Sequence, residues 1–542
     1  MEIIQNTKKE LLTAFLILSV ITKLFANEPG TQIYFGRFYG YVDENNQITR
    51  VDNNFAPSDY YDRKTFRPEL NYVTIPEEVD GMKVVSIEKE AFSGNADIKY
   101  VYIPATVTDI GYKAFNACHN IESFVIDSKN PVYEAKDGII YEKATKKLVS
   151  CYYGKTGIVK VPEGTKEIPA DFFSGNIIFS AVEFPLPTVI LPESVTSIGD
   201  KAFTYSRFKE IKFPKNIKSL GQKVFNYIEI ENLSFPNGPE TISEETFSHA
   251  SIENLYLPDT VTVIGSKAFE DCMEIFNIRM PNNLKRIESY AFHDFRPIYE
   301  RKVYLNLPES LEFIGEYAFM DAYFAGIKLP DSMETINKYA FSNIGNYWSE
   351  DPVKLPKNLK RIEEGAFEET SFNSFNLPEG LVYIGEGAFS HCGFGDLDTD
   401  EIILPDSIEY IGKGAFEHSA LWAHVYLPAS LKTIEERVFA NSVLKSLRIP
   451  EGVTEIKESA CEGCISLSYV EIPKSVTKIG NKAFAYCENL REVDCYYSSK
   501  LQSVGNQAFY ECPNLKKIEL PYKVWTFGKQ VVSKGTKIYR LK

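Results

Sequence analysis

The sequence lacks the motifs on which most enzyme chemistry depends. It contains no Gly-x-Ser-x-Gly nucleophile elbow, no His-Glu-x-x-His metal helix and no phosphate-binding glycine loop. Only six histidines occur among 542 residues, so general bases and metal ligands are scarce. These absences predict that the protein is not an enzyme, with no catalytic residues, no metal and no cofactor.

A basic excess is also missing. The formal net charge is −15, whereas a nucleic-acid-binding protein needs a basic surface for the phosphates. We therefore expect no nucleic-acid partner. The composition, 44% hydrophobic and 25% charged, can build a packed core and excludes a chain that is disordered by composition.

Long hydrophobic runs are absent except at the N-terminus. There Lys8 and Lys9 precede an apolar run of about 12 residues that starts at Leu11, and Ala26 offers a small residue for cleavage. The run is too short for a comfortable membrane span. It predicts a secretory signal peptide over residues 1–26 and no span in the mature chain. An uncleaved anchor and a buried helix are the alternatives.

A repeat of about 22 or 23 residues occupies most of the chain. Each repeat contains an anchor phenylalanine, and Cys461 takes that place in one turn. The anchors are Phe92, Phe115, Phe173, Phe203, Phe225, Phe247, Phe269, Phe292, Phe319, Phe341, Phe367, Phe389, Phe416, Phe439, Phe484 and Phe509. A period in this range, repeated over about 17 turns, is typical of a solenoid.

One turn consists of three short pieces. "VEIP" at Val470 alternates apolar and polar residues before a proline, which predicts a half-buried strand with its end at the proline. "VTKIG" at Val476 has two apolar residues three apart, and its glycine permits a sharp bend. "NKAFAYC" at Asn481 predicts a short helical turn that buries the anchor.

The repeat resembles the leucine-rich repeat of the BspA-like family. "CISLSYVEIPKSVTKIGNKAFAY", Cys464 to Tyr486, fits that family's pattern almost slot for slot, and the resemblance covers about Tyr72 to Pro521. It implies an α/β fold, a right-handed leucine-rich-repeat solenoid that is β-rich, with stacked short parallel strands and short helical turns. Family members are typically secreted or surface-exposed, and some are adhesins that bind extracellular-matrix protein or other cells.

The pattern also divides the chain. Residues 72–521 form the predicted solenoid, and residues 127–155 resemble a hairpin insertion common in this family. Residues 27–71 and 522–542 depart from the repeat and are interpreted as N-terminal and C-terminal caps, because a solenoid needs atypical ends. A small ligand-binding module is the competing interpretation of the N-terminal segment.

Cysteine recurs three residues after the anchor. Six of the nine cysteines occupy this slot: Cys118, Cys272, Cys392, Cys464, Cys487 and Cys512. Other turns place a small residue such as Ser442 there, so the thiols are interpreted as small buried groups. Cys464, Cys487 and Cys512 should stack in successive turns with parallel Cβ vectors, which disfavours a disulfide. We expect mostly free, buried thiols.

Two chemical alternatives involve histidine. His119 follows Cys118 and His391 precedes Cys392, but neighbours in sequence rarely face each other as a nucleophile and its base must. His249, His391 and His418 each lie two residues after an anchor, and Glu369 occupies the same slot. A metal site there is a minority hypothesis; the slot is interpreted as solvated.

A column of outward-facing residues is the candidate binding surface. The middle residue of each strand before the proline must point out of the sheet. Tyrosine and arginine, the residues that most often dominate protein interfaces, recur in this column beside lysine. The predicted ligand-binding residues are Tyr256, Arg279, Lys328, Lys354, Tyr426 and Arg448.

The sequence therefore favours a secreted or cell-surface protein, monomeric, that binds an extracellular protein ligand such as a matrix or cell-surface molecule. A self-assembling surface scaffold without a host ligand is the alternative. An enzyme or a metal-binding protein is the least favoured class.

Overall fold

A computed structural model describes most of the chain. The described residues are 32–35, 38–42, 47–53, 71–95, 97–116, 118, 120–151, 157–175, 186–275, 277–296, 304–324, 326–344, 354–372, 376–394, 400–495 and 500–541. The predicted signal peptide, much of the predicted N-terminal cap and His119 lie outside them. The chain divides into two compact units, Met1–Val195 and Thr196–Lys542.

The described residues of the first unit form sixteen short strands. They are β1 (Gln32–Phe35), β2 (Phe38–Val42), β3 (Ile48–Asn53), β4 (Tyr72–Thr74), β5 (Glu78–Val79), β6 (Met82–Lys83), β7 (Ser86–Ile87), β8 (Tyr100–Ile103), β9 (Asp109–Ile110), β10 (Ser123–Ile126), β11 (Tyr133–Lys136), β12 (Ile139–Glu142), β13 (Leu148–Cys151), β14 (Ile158–Lys160), β15 (Glu167–Ile168) and β16 (Thr188–Ile190).

In the second unit thirty strands lie within the part that the structure describes. They are β17 (Ser197–Ile198), β18 (Arg207–Lys212), β19 (Ser219–Leu220), β20 (Glu229–Ser234), β21 (Thr241–Ile242), β22 (Ser251–Tyr256), β23 (Val263–Ile264), β24 (Asn277–Arg279), β25 (Arg286–Ile287), β26 (Tyr304–Asn306), β27 (Phe313–Ile314), β28 (Gly326–Lys328), β29 (Thr335–Ile336), β30 (Arg361–Ile362), β31 (Ser371–Phe372), β32 (Tyr383–Ile384), β33 (Gly393–Phe394), β34 (Glu401–Ile403), β35 (Tyr410–Ile411), β36 (His424–Tyr426), β37 (Thr433–Ile434), β38 (Ser446–Arg448), β39 (Glu455–Ile456), β40 (Tyr469–Ile472), β41 (Lys478–Ile479), β42 (Glu492–Cys495), β43 (Ser503–Val504), β44 (Lys517–Pro521), β45 (Thr526–Phe527) and β46 (Lys537–Leu541).

The first unit joins parallel ladders to two antiparallel segments. β8 lies between β4 and β10 and pairs in parallel with both. β1, β2 and β3 pair antiparallel, and β3 then runs parallel to β7. The segment predicted as a hairpin insertion contains β11, β12 and β13, which form an antiparallel three-stranded sheet.

Two parallel ladders run through the second unit. Long strands that precede the prolines pair with their counterparts in the next turn, as in β20–β22–β24 and β34–β36–β38–β40–β42. Two-residue strands pair in the same way, as in β37–β39–β41–β43–β45. The predicted parallel β-solenoid of leucine-rich repeats is confirmed.

The anchor phenylalanines stack on one another along the second unit. Phe269 lies between Phe247 and Phe292, with ring centroids 5.1 Å and 4.7 Å away and the ring planes nearly parallel. The same contact joins Phe389, Phe416 and the anchors beside them at 5.4 to 5.6 Å. Each ring therefore buries its two faces against identical neighbours, and no single turn could bury its own anchor.

The predicted short helical turns are wrong: the described residues contain no α-helix. The segment around each anchor, here called the third side, has a positive φ two residues before and two residues after the anchor. At Phe484 these residues are Lys482 (φ 53°) and Tyr486 (φ 60°). A helix needs an unbroken run of negative φ, so left-handed residues at this spacing prevent one.

Hydrogen bonds explain the third-side conformation. The backbone N–H groups of Glu245, Phe247 and His249 donate to carbonyls of the next turn at 2.8 to 3.1 Å. The N–H groups between them close local turns, as when Ser248 donates to Glu245. Successive N–H groups thus donate alternately to carbonyls of the next turn and of their own turn. In this way the buried backbone N–H groups of the segment all have hydrogen-bond acceptors.

A glycine follows some of the two-residue strands, such as Gly480 after β41, and its role differs from the predicted bend. A Cβ at Gly480 would lie 2.6 Å from the backbone nitrogen of Glu458 in the preceding turn. Glycine is required there because two turns approach too closely for a side chain. In the part of the chain that the structure describes, no helix could serve as a membrane span.

Replacing one anchor tests the stack. Phe269 is fully buried, so we expect Phe269→Ala to lower the free energy of unfolding by about 3–5 kcal/mol through lost contacts and the cavity left behind. Met273→Ala, at a side chain that is 60% exposed, is the control and should change it by less than about 0.5 kcal/mol. Denaturant unfolding measures both; similar midpoints for the two variants would contradict the stacking account.

Candidate binding surface

The predicted ligand-binding residues lie on the outer face of the long strands, here called the strand face. Register places them as three neighbouring pairs: Tyr256 beside Arg279, Lys328 beside Lys354, and Tyr426 beside Arg448. The flanking strand residues point inward and are buried, such as Leu255 and Leu447. Alternation along each strand therefore positions these side chains toward solvent.

Arg279 is held by a neighbouring carboxylate. One of its terminal nitrogens donates to both oxygens of Asp259 at 3.0 Å, and the other donates to the Leu257 carbonyl. The Asn282 backbone N–H, followed by Arg279 itself, lowers the pKa of Asp259 below its ordinary value. The positive charge of Arg279 is therefore neutralised locally.

A shallow cavity adjoins this first pair. Its volume is about 650 Å³, and Tyr256, Asp259, Arg279 and Asn283 contribute to its lining. The cavity combines an aromatic ring with hydrogen-bonding groups whose positions are fixed by the Asp259 network. It can accept a polar side chain of a partner, but its arginine offers little unneutralised charge.

The second pair brings two lysines together. Lys328 and Lys354 are direct neighbours in adjacent turns, an arrangement that repels. Lys328 has a carboxylate nearby, because its Nζ lies 3.5 Å from an oxygen of Glu309. Within the described residues Lys354 has no such partner. This pair carries the positive charge that the sequence predicted for the column.

The third pair lies beside exposed apolar surface. The Arg448 guanidinium lies 6.0 Å from the ring centroid of Tyr426, and the Tyr426 hydroxyl donates to Glu401 at 3.2 Å. The hydrogen bond to Glu401 raises the pKa of Tyr426 above its ordinary value. Ile403, the register partner of Tyr426 at the end of β34, is 72% exposed. Binding of a partner over this isoleucine is favourable, because it removes apolar surface from water.

Trp422 is a further exposed residue, which the sequence analysis missed. It lies three residues before Val425, in the slot where the repeat buries Leu467 three residues before Val470. Trp422 is nevertheless 59% exposed, and Leu421 fills the interior instead. Its φ of 45° turns the side chain outward, a strained conformation for a bulky residue. The replacement of the usual leucine by tryptophan is the sequence signal that could have identified it.

Ile403, Trp422, Tyr426 and Arg448 are here called the Trp422 patch. Trp422 precedes Tyr426 by four residues, so their Cα atoms are at most about 14 Å apart. One partner can therefore contact all four side chains. Exposed tryptophan, tyrosine and arginine are the side chains that contribute most to protein interfaces.

Comparison with known proteins identifies the repeat. A family model described as "BspA type Leucine rich repeat region (6 copies)" matches residues 63–139, 174–298, 301–422, 350–468 and 454–542. The chain belongs to the BspA type leucine-rich repeat family. The resemblance seen in the sequence is thereby confirmed. No curated protein matches the chain.

Solved structures of leucine-rich repeat proteins are also similar to this family member. A leucine rich cell surface protein from Faecalibacterium prausnitzii is 20% identical, with a TM-score of 0.31, over 86% of this chain and 96% of that chain. A leucine-rich repeat protein from Bacteroides ovatus is 22% identical, with a TM-score of 0.33, over 96% and 100%. The pneumococcal vaccine antigen PcpA is 18% identical, with a TM-score of 0.31, over 84% and 94%.

The recurring cysteines of the repeat are hydrogen-bond donors. Each S–H in the slot three residues after the anchor donates to the carbonyl of the preceding turn's anchor: Cys118 to Phe92 at 2.9 Å, for example, and Cys392 to Phe367 at 3.0 Å. Thr370 and Ser442 make the same bond with hydroxyls. Donor capacity, as well as small size, therefore selects residues for this slot.

Burial keeps these thiols unreactive. It raises the pKa of Cys118 to about 12 and that of Cys392 further, because a buried thiolate loses its solvation. All nine cysteines are free. A thiol with a raised pKa that is bonded to a carbonyl is a poor nucleophile, so neither residue supports the Cys–His alternative.

The histidines of the third side stack rather than converge. The rings of His391 and His418 are 4.4 Å apart and nearly parallel, so their nitrogens point side by side. Both residues have positive φ, a conformation that histidine tolerates better than most residues. Among the described residues no three His, Cys, Asp or Glu side chains form a metal-binding group. Backbone conformation explains why histidine recurs here.

Thiol titration tests the cysteine account. In the native protein we expect only the half-buried Cys151 to react, since the other eight thiols are buried. Under denaturation all nine should react with Ellman's reagent. Fewer than about three reactive thiols after denaturation would instead indicate disulfides.

Paired substitutions test whether Leu421 is the buried residue and Trp422 the exposed one. Leu421→Ala should lower the free energy of unfolding by about 2–4 kcal/mol, because Leu421 fills the interior. Trp422→Ala should change it by less than about 1 kcal/mol, because the ring is exposed. Denaturant unfolding of the two variants decides between the arrangements: a larger loss for Trp422→Ala would mean that the tryptophan is the buried residue.

Proposed function

We propose that this family member is a secreted or cell-surface protein that binds an extracellular protein, as an adhesin does, through its strand face. The observation that carries the proposal is Trp422, which a left-handed backbone turns into solvent where the repeat otherwise buries leucine. Trp422 lies outside the third side, where the repeat itself requires left-handed residues. Exposing a tryptophan in a strained conformation costs stability, and strain of this kind is often found at binding sites.

The surroundings of Trp422 support a protein as the ligand. Ile403, Tyr426 and Arg448 provide apolar area, an aromatic ring and a cation along neighbouring strands. Interfaces between proteins combine these residue types at their centres. Lys328 and Lys354 lie elsewhere on the same strand face and would steer an acidic partner.

The other features agree with an extracellular binding protein. Lys8, Lys9 and the apolar run from Leu11 support secretion through a cleaved signal peptide. The buried, carbonyl-bonded thiols and the stacked histidines argue against catalysis or metal chemistry at the sites considered. The strand face offers an extended surface, as repeat proteins use for macromolecular ligands.

The experiment is binding of the purified protein to an immobilised panel of matrix proteins, mucins, whole cells and the protein itself, at low and high salt. Saturable binding to one extracellular protein is the expected result. Binding only to itself would favour a self-assembling scaffold. Absence of saturable binding to every member of the panel would contradict the proposal.

Variants then locate the site. Trp422→Ala and Tyr426→Ala should each weaken binding by about 30-fold, as loss of an interface hot spot of about 2 kcal/mol does. Tyr486→Ala, an exposed aromatic on the third side, is the matched control and should leave binding unchanged. Equal effects of all three would place the ligand elsewhere.

Charge reversal tests the contribution of the lysines. Lys328→Glu with Lys354→Glu should slow association at low salt and have a smaller effect at high salt, because screening weakens long-range attraction. Surface plasmon resonance at two salt concentrations measures this. Unchanged association at low salt would exclude the lysine pair from the binding surface.

A further inference from the structure

The segment 522–542 has a charge opposite to that of the chain. It contains six lysine and arginine residues and no aspartate or glutamate, whereas the whole chain has 74 acidic and 59 basic residues. The sequence analysis interpreted this segment as a cap. Its described part, which ends at residue 541, continues both parallel ladders: β45 pairs with β43 and β46 pairs with β44.

The lysines of this turn are not neutralised by neighbours. In the preceding turns some lysines pair with a glutamate one turn before them, as Lys457 does with Glu435 at 2.6 Å and Lys478 with Glu455 at 2.7 Å. Four exposed lysines have no carboxylate at ion-pair distance within the described residues. They are Lys523, Lys529, Lys534 and Lys537. Positive potential is therefore concentrated in one turn.

Aromatic side chains are exposed in the same turn. Trp525 is 77% exposed, Tyr522 is 59% exposed and Tyr539 is 47% exposed. The segment that carries Trp525 is nevertheless well fixed. Its backbone N–H donates to Gln502 at 3.0 Å, and Arg540 donates to the carbonyls of Pro521 and Val524 on either side of Lys523. The rings are thus held out by a rigid backbone.

The combination of these groups indicates the class of ligand. Lys537 and Tyr539 lie on β46, Trp525 directly precedes β45, and Lys529 and Lys534 follow it. Lysines attract any polyanion, but exposed tryptophan and tyrosine beside them favour the headgroup region of a lipid bilayer, which offers the rings a partly apolar layer. A soluble polyanion offers no such layer.

We propose that residues 522–541 bind the surface of an anionic lipid bilayer. The lysines would contact phosphate groups of the lipids, and Trp525, Tyr522 and Tyr539 would occupy the headgroup region, where tryptophan and tyrosine are favoured. Ile538, which is 38% exposed, would add apolar contact. The attachment is separate from the Trp422 patch and holds the protein on a membrane while that patch stays available.

Co-sedimentation of the full chain with lipid vesicles tests the proposal. Vesicles of phosphatidylglycerol mixed with phosphatidylcholine should bind the protein, and vesicles of phosphatidylcholine alone should not. Binding should weaken as salt rises, since the attraction is screened. Equal binding to both vesicles, as the apolar segment after Leu11 alone could produce, would overturn the proposal, as would no binding to either.

Two sets of four Lys→Gln substitutions separate a local site from general charge. The first set changes Lys523, Lys529, Lys534 and Lys537 and should weaken binding by about 10²-fold or more, at about fivefold per lysine. The control set changes the exposed residues Lys209, Lys218, Lys285 and Lys432. It removes the same charge and should weaken binding by less than about tenfold. Equal losses in the two sets would contradict a local site.

Trp525 distinguishes a lipid surface from a soluble polyanion. Trp525→Ala should reduce vesicle binding severalfold, since the ring enters the headgroup region. Binding to heparin, a polyanion without a bilayer, should be weaker than vesicle binding and unaffected by this substitution. Heparin binding as tight as vesicle binding, with Trp525→Ala neutral in both, would assign the turn to a soluble polyanion and overturn the proposal.

Discussion

The face-to-face stack of anchor phenylalanines is the contact on which the rest of the second unit depends. A ring such as Phe269 is buried because the neighbouring turns place an identical ring above and below it, and only in one turn does Cys461 take the place of the ring. That requirement fixes the register of every turn, and the two parallel ladders follow from it. It also determines the third side. Left-handed residues flank the anchor so that alternate N–H groups reach the next turn. The Cys–carbonyl bonds are a further consequence, since they satisfy the anchor carbonyls that the stack buries.

Positions that the stack does not constrain carry the differences between turns. The middle residues of the long strands face solvent, so their chemistry varies without cost to the core. Contacts between turns change how much free charge these residues present to a binding partner. Asp259 neutralises Arg279, and Glu309 lies close to Lys328. Such exposed pairs contribute little to stability, but they remove free charge from the strand face. The column is consequently less basic than its composition indicates, and apolar area at Ile403 and Trp422 gains importance for binding.

Two exposed tryptophans are placed in different electrostatic surroundings. Trp422 lies near Tyr426, whose hydroxyl is bonded to Glu401, and near Arg448, which lies over the Tyr426 ring. Charges there are paired, so a partner gains mainly from covering apolar surface. Trp525 lies among lysines without carboxylate partners in the described chain. There a partner gains from neutralising charge. One residue type thus suits a protein ligand in one turn and an anionic surface in another, and the neighbouring side chains determine which.

The sequence by itself determined the period, the family, the inward and outward positions of the strands and the identity of the anchors. These features follow from a local pattern that recurs in many turns, so the pattern can be recognised even where one turn is irregular. Only the tertiary structure decided the conformation of the third side, because its left-handed residues Lys482 and Tyr486 are compatible with a helix when seen in sequence alone. It alone decided that Leu421 lies inside and Trp422 outside, since both are apolar and one backbone angle selects between them. It also decided which lysines are neutralised, because the partners of lysines such as Lys457 and Lys478 are one turn away in space and more than twenty residues away in sequence.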